Sequence, residues 1–275
     1  MSRVTVDHND LYRLPWTLSD NAISWLEPTA ECNLHCDGCY RENEKGSHKP
    51  LEEVYAELDV FAAQRRSDCI SIAGGDPLLY PDLPELVAEI KGRGWKPIIN
   101  TNGKALTPEM LAELKRAGMF GFTFHVDSGQ GRGGRWDGMN ELELNELRYH
   151  YARMVADAGG IACSFNATIY EENLHHVPGM IDWAQEHIDI VHTMVFICFR
   201  HMVPDMPFRW YAGDREVRRD STSLTPWSTR ARPSMPRDRA PGTRSWRRTA
   251  TGHARLPRAL LISLTSSQAT QPGNA

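Results

Sequence analysis

Cys32-Asn33-Leu34-His35-Cys36-Asp37-Gly38-Cys39-Tyr40 decides how this chain is read. Three thiols stand within eight residues, directly after an apolar run with strand character over 22–30. Soft thiolates at this spacing can wrap one inorganic centre, either iron–sulfur or zinc. Three ligands leave a cubane with one open iron, the kind of position a catalytic centre needs. A structural zinc normally closes its shell with four ligands. The nearest spare ligand for such a zinc is His35 or His48, and a chance cluster of thiols is the remaining alternative. His35 by itself reads as a loop residue.

Outward from this stretch, strand-like runs alternate with amphipathic helical ones, which predicts an α/β fold with parallel strands. The strands are expected at 22–30, 69–73, 96–100, 120–127, 161–168 and 191–199. The helices are expected at 51–66, 83–92, 108–117, 142–158 and 177–188. Asp82 with Glu85 reads as a capping box, and Thr107 before Pro108 as an N-cap followed by a first-turn proline. Six β/α units without a seventh and eighth predict a partial (β/α)6 barrel, with ligands at the carboxyl ends of the strands. Strand parity sets Phe120, Phe122, Phe124 and Val126 against Thr123, His125 and Asp127. It likewise sets Ile161, Cys163, Phe165 and Ala167 against Ser164, Asn166 and Thr168. The polar rows are expected to line the barrel interior, which implies a polar ligand; a hydrated sheet face is the alternative.

The CxxxCxxC spacing of Cys32, Cys36 and Cys39 after a first strand resembles the radical S-adenosylmethionine superfamily, in the branch with CxxxCxxCY and GG(D/E)P motifs. The resemblance covers residues 22–200. It implies a [4Fe–4S] cluster on those three cysteines and S-adenosylmethionine chelated to the open iron. Reductive cleavage would then give a 5′-deoxyadenosyl radical that abstracts hydrogen from a substrate. Ile72-Ala73-Gly74-Gly75-Asp76-Pro77 stands where the family carries its glycine-glycine-acid motif, which implies that Gly74, Gly75 and Asp76 contact the methionine amino group. Glycines admit close backbone approach, and Asp76 offers an anion to an ammonium. By position, Thr101 and Asn102 end strand three, and His125, Asp127 and Ser128 end strand four, where the family places ribose and carboxylate contacts. Asn166 matches a polar position near the nucleoside. Each of these later residues reads equally as a structural hydrogen-bonding group. Gly38 stands at a position often aromatic in the family, and Tyr40 is its expected substitute. The implied partners are a one-electron donor such as flavodoxin or ferredoxin and a substrate that the sequence does not specify. The reading from another class is a non-catalytic iron–sulfur or zinc protein, a redox sensor, which would have no need of an amino-acid clamp at Gly74-Gly75-Asp76.

Cys69, Cys163 and Cys198 read as strand thiols packed in the core. The glycine-rich stretch 128–135 lacks the Lys-Ser/Thr ending of a P-loop. It reads as a mobile loop over the barrel mouth, where Arg132 and Arg135 would suit a carboxylate or phosphate if the loop touches substrate. No apolar run approaches the roughly 20 residues of a membrane span, and residues 1–16 lack the apolar stretch of a secretory signal. The expected location is therefore the cytoplasm, where thiols stay reduced.

The net charge of −4 hides an asymmetry: residues 209–275 carry 13 Arg, no Lys and four acids, for +9, against −13 elsewhere. That shift divides the chain into an N-terminal extension (1–21), a core domain (22–208) and an Arg/Pro/Ser-rich tail (209–275). Two readings of the tail stand side by side. One is a disordered basic segment that could weakly bind nucleic acid or an acidic partner, although nucleic acid is not an expected partner of the protein. The other is the product of a reading-frame change in a GC-rich gene, which would leave a natural C-terminal region missing.

Overall fold

A computed structural model of the chain describes residues 20–37, 39 and 41–199, with the backbone of three short strands beyond them. The elements run β1 (Asp20–Thr29), α1 (Leu51–Gln64), β2 (Arg66–Gly74), α2 (Leu83–Gly92), β3 (Lys96–Thr101), α3 (Pro108–Ala117), β4 (Gly121–His125), α4 (Asn145–Ala158), β5 (Ala162–Ile169), α5 (Val177–Glu186) and β6 (Thr193–Cys198). A two-residue ribbon, β7 (Tyr211–Ala212) with β8 (Arg215–Glu216), and a strand β9 (Leu261–Ser266) follow. Strands β1 to β6 lie in sequence order, every neighbouring pair parallel. Parallel crossovers are right-handed, and here each steps the same way across the sheet. All five helices therefore cover one face, and the other face is left to line a partial barrel.

The predicted parity is what builds this arrangement. Phe122, Phe124, Cys163, Phe165 and Ala167 are buried beneath the helices, and Phe124 stacks on Tyr151 of α4 with ring centroids 4.7 Å apart. On the opposite face Thr123 stands beside Ser164, and His125 beside Asn166, all half-buried. Cys163 is core, as expected, while Cys69 and Cys198 are half-buried.

Capping shows one success and one departure. Thr107 accepts a hydrogen bond from the Met110 amide and starts α3 as predicted. Asp82 makes no side-chain cap, because at φ −96° and ψ 23° its backbone lacks the extended geometry that aims a side chain at the first turn. The capping box is instead at Asp127 and Gln130, in the short turn after β4.

At the far edge β9 pairs parallel with β6, from Thr193 opposite Leu261 to Cys198 opposite Ser266. It lies within the basic tail, where the sequence pattern set no strand, because an isolated apolar run at 259–264 carries no helical or alternating neighbours. The expectations for 1–19, for Tyr40 as an aromatic substitute, and for the rest of 209–275 fall outside the described residues.

Candidate active site

The cysteine loop leaves the end of β1 and is tied back at its base. Lys49 N donates to Pro28 O (2.9 Å), Ala30 N to the Ser47 hydroxyl (3.1 Å), and His48 Nδ1 pairs with Thr29 Oγ1 (3.0 Å). His48 is therefore occupied at the loop's foot. Within the loop, Asn43 clasps the Cys32 backbone on both sides, at 2.9 and 2.7 Å. Leu34 is buried and anchors the turn, and Cys39 N bonds to Cys36 O.

The next strand end presses on this loop. Gly74 has φ +109°, and a Cβ there would lie 2.2 Å from Thr29 O; at Gly75 it would lie 2.1 Å from Glu31 O. Gly75 N and Asp76 N bond to those same carbonyls, at 2.9 and 2.7 Å. The glycines thus let β2 lie against the root of the cysteine loop. Gly75→Ala is expected to cost at least about 2 kcal/mol, because backbone rather than a flexible side chain must yield; a denaturant midpoint equal to wild type would contradict it.

Asp76 is 1% exposed and turned inward. Its oxygens accept from Leu78 N, the Thr101 hydroxyl and Asn102 N at 2.8–3.0 Å. Burial pushes its carboxyl upward, and these donors pull it back. Asp76 thereby fixes the Thr101–Asn102 turn. From that turn Asn102 Nδ2 reaches Asn33 Oδ1 at 2.7 Å and stands 3.7 Å from Cys32 Sγ.

After β4, His125 Nε2 sits 2.8 Å from Asp127 Oδ2 and 3.0 Å from the Thr168 hydroxyl. Asp127 also accepts from Thr168 N and Gly129 N, both at 3.0 Å. Burial alone would raise the Asp127 carboxyl; the charge and hydrogen bond of His125, with the Thr168 donors, outweigh it and hold the group below its ordinary 3.8. A carboxyl depressed on folding contributes stability that is complete above its unfolded value and is lost as pH falls through its folded value. Asp127→Asn is therefore expected to flatten the acid limb of stability below about pH 4, read as denaturant midpoint against pH; an unchanged limb would refute it.

Ser128 is exposed on the rim, its amide bonded to Glu141 Oε1 at 2.8 Å. The Asn166 side chain is half-buried on the inner face and has no hydrogen-bond partner among the described residues. The stretch after Ser128 is pinned rather than loose. Gln130 is buried, and Arg132, 8% exposed, donates to Gln130 Oε1, Asn102 O and His125 O. Arg132, read as a substrate contact only if this loop touches substrate, is thus a strap across the ends of β3 and β4. Arg135 stays exposed, stacked 3.9 Å over Trp136 and paired with Glu146.

Several site residues escaped sequence reasoning. Arg41 pairs with Glu27 at 2.5 Å, and Glu27 also accepts from the Trp25 indole at 2.8 Å. Glu141 and Arg148 form a fully buried ion pair under the β4 end. Arg41 had one available signal, its place two residues after Cys39. Glu141 and Arg148 had none, since a Glu and an Arg seven apart are common on any helical surface.

Among the described residues, no three Cys, His, Asp or Glu side chains converge on a single metal ion. The chemistry of the three sulfurs nonetheless fits a cationic cluster. Burial pushes Cys32, Cys36 and Cys39 all upward. The charge of Cys39 bears on Cys32, and both of these bear on Cys36, so the three share one electrostatic neighbourhood. Thiols so placed become thiolates only against positive charge, which an iron–sulfur core supplies.

Fold and site define a class: a partial α/β barrel that carries a thiol loop over its strand ends. A family model described as the Radical SAM superfamily matches residues 26–184, and the chain belongs to that superfamily. It is 29% identical over 178 residues to Fe-coproporphyrin III synthase of Methanosarcina barkeri (strain Fusaro / DSM 804), covering 64% of this chain and 42% of that one. It is 30% identical over 184 residues to PqqA peptide cyclase of Xanthomonas campestris pv. campestris, covering 62% and 46%. Streptococcus suis SuiB bound to S-adenosylmethionine shares the fold at a TM-score of 0.51 and 16% identity, over 72% of this chain and 44% of that one. The chain spans less than half the length of each.

Proposed function

We propose that this chain is a radical enzyme that cleaves S-adenosylmethionine reductively to abstract hydrogen from a substrate. The observation that carries the reading is the loop of three closely spaced thiols, Cys32 and Cys36 half-buried and Cys39 exposed, held against the glycine-glycine-aspartate end of β2. Cys32, Cys36 and Cys39 would hold a [4Fe–4S] cluster. Together that cluster and S-adenosylmethionine, when bound, supply the electron and the 5′-deoxyadenosyl radical.

The chain's own residues bind, orient and shield. Gly74 and Gly75 seat the end of β2 directly against the cysteine loop, which brings that strand end to where the methionine amino group would lie. Asp76, its oxygens committed to four hydrogen bonds within the chain, favours an ammonium through its field rather than as a direct ligand. Asn102 stands between the Cys32 sulfur and the rim, while His125, Asp127 and Ser128 form the next rim segment. Asn166, with its amide uncommitted on the inner face, is suited to a nucleoside edge. Ser164 and Thr123 continue a polar wall that orients substrate and excludes quenching solvent. The names of the relatives span a peptide and an iron coproporphyrin, which supports the family's shared chemistry and leaves the substrate open.

Reduction requires a one-electron donor of the flavodoxin or ferredoxin kind. All six cysteines are free thiols, in keeping with a cytoplasmic setting. Among the described residues no helix is long and apolar enough to cross a membrane. The domain division at 22–208, with a tail either basic and native or out of frame, belongs to this proposal; a helix-and-strand pattern in another frame past codon 208 would support the frame change.

The deciding experiment is anaerobic: load the full chain with iron and sulfide, reduce it, add S-adenosylmethionine and assay 5′-deoxyadenosine. The nucleoside is the expected product. Its absence from a well-loaded chain, or zinc in protein purified without oxygen, would favour the sensor reading.

A further inference from the structure

We propose that Tyr170 is a positioning residue that fixes the cysteine loop from across the barrel, with the buried Glu141–Arg148 pair as its anchor. Asp37, between Cys36 and Cys39, is gripped by both of its backbone groups: its N–H donates to Gly129 O at 2.7 Å, and its carbonyl accepts from the Tyr170 hydroxyl. These grips come from the turns after β4 and β5. Gly129 fits closely there, since a Cβ on it would lie 3.3 Å from the Asp37 Cβ.

Both turns lead to one carboxylate. Tyr170 N donates to Asn173 Oδ1 at 2.8 Å, and Asn173 Nδ2 donates to Glu141 Oε1 at 3.0 Å. Ser128 N, one residue before Gly129, donates to the same Glu141 oxygen at 2.8 Å. Glu141 Oε2 accepts from Arg148 Nη2 at 2.6 Å, and Arg148 also holds Val126 O and Glu141 O, each at 2.6 Å. Glu141 and Arg148 are both 0% exposed, and Asn173 is 7% exposed. A buried ion pair held by this many hydrogen bonds has one geometry, and the two arms transmit that geometry to a single residue of the cysteine loop. The hydrogen bonds of these arms reach the cysteine loop at Asp37.

The inference builds on the reading of Cys32–Cys39 as the cofactor-bearing loop, but its test is read on the protein before cofactor is added. Tyr170→Phe keeps the ring against Phe199, centroids 5.0 Å apart, and removes only the hydroxyl. In the full chain under anaerobic conditions, we expect hydrogen exchange of segment 33–38 and maleimide labelling of Cys36 to rise about fivefold, the opening expected for one lost hydrogen bond. Labelling of Cys69 in β2 should stay at the wild-type value, and the thermal midpoint should fall by no more than about 4 °C. Asn173→Ala, which frees the Tyr170 backbone, should move the same two readouts in the same direction. Unchanged exchange at 33–38 in Tyr170→Phe would overturn the proposal. So would a rise at Cys69 in step with Cys36, because that reports general loosening. A wild-type chain that loads iron yet yields no 5′-deoxyadenosine would sink the proposed function and leave this result standing.

Discussion

Cys36→Ala is expected to lower cluster-bound iron and 5′-deoxyadenosine formation by at least about a hundredfold. Changes to groups that merely support a metal ligand cost roughly 10–100-fold, and this change would remove a proposed ligand outright. Cys36 is the sharpest test of the three. Burial pushes its thiol well up, and the charges of Asp127, Cys39 and Cys32 push it further, against the opposing guanidinium of Arg132. A sulfur so placed is a poor thiolate alone and a good one only beside bound iron. Two remaining thiolates cannot complete the set. The control is Cys163→Ala: that thiol is 1% exposed among core side chains, so its loss should leave iron content unchanged. Iron and acid-labile sulfide per chain, with the electron paramagnetic resonance signal after reduction, decide the matter. A Cys36→Ala chain with full iron content would end the assignment of the loop.

Glu141→Ala is expected to destabilise the fold by about 3–5 kcal/mol, the cost of stranding a buried charge. Arg148 would remain 0% exposed with its carboxylate partner gone, and the Ser128 and Asn173 donors would lose their acceptor as well. Burial already pushes the Arg148 guanidinium below its ordinary value despite Glu141. Its Nε has no hydrogen-bond partner among the described residues, so the site has no spare acceptor to take over. Denaturant midpoints give the loss directly. Replacing both members with apolar residues of similar volume should recover much of it, since the penalty lies in the orphaned charge. The exposed pair Arg135–Glu146 is the contrast: breaking it should change stability by less than about 1 kcal/mol. Equal effects at the two sites would refute the argument from burial.

These two sites differ in how far the sequence discloses them. The cysteines are local, with three proposed ligands in one loop, and the glycines of β2 announce a close approach that the carbonyls of Thr29 and Glu31 then provide. Strand parity was equally legible, because alternation around Phe122, Phe124, Cys163 and Phe165 reports burial on one face. The Glu141–Arg148 hub and Tyr170 were not legible. Their partners lie on other elements, and a tyrosine bonded to a carbonyl 133 residues away leaves no spacing to read. Arg132 was misjudged for a related reason: arginine among glycines looks solvent-facing until the carbonyls of Asn102 and His125 are brought beneath it. Asp82 shows the local limit, where the residue types of a capping box are present and the backbone angles are not.

The two grips on Asp37 also set a timetable for the newborn polypeptide. The thiols leave the ribosome early, whereas Gly129 and Tyr170 follow only after most of the barrel has been translated. During that interval the sulfurs stand unguarded, open to an iron donor and to oxygen alike. If the three sulfurs carry the proposed cluster, its loading competes with their oxidation in that interval.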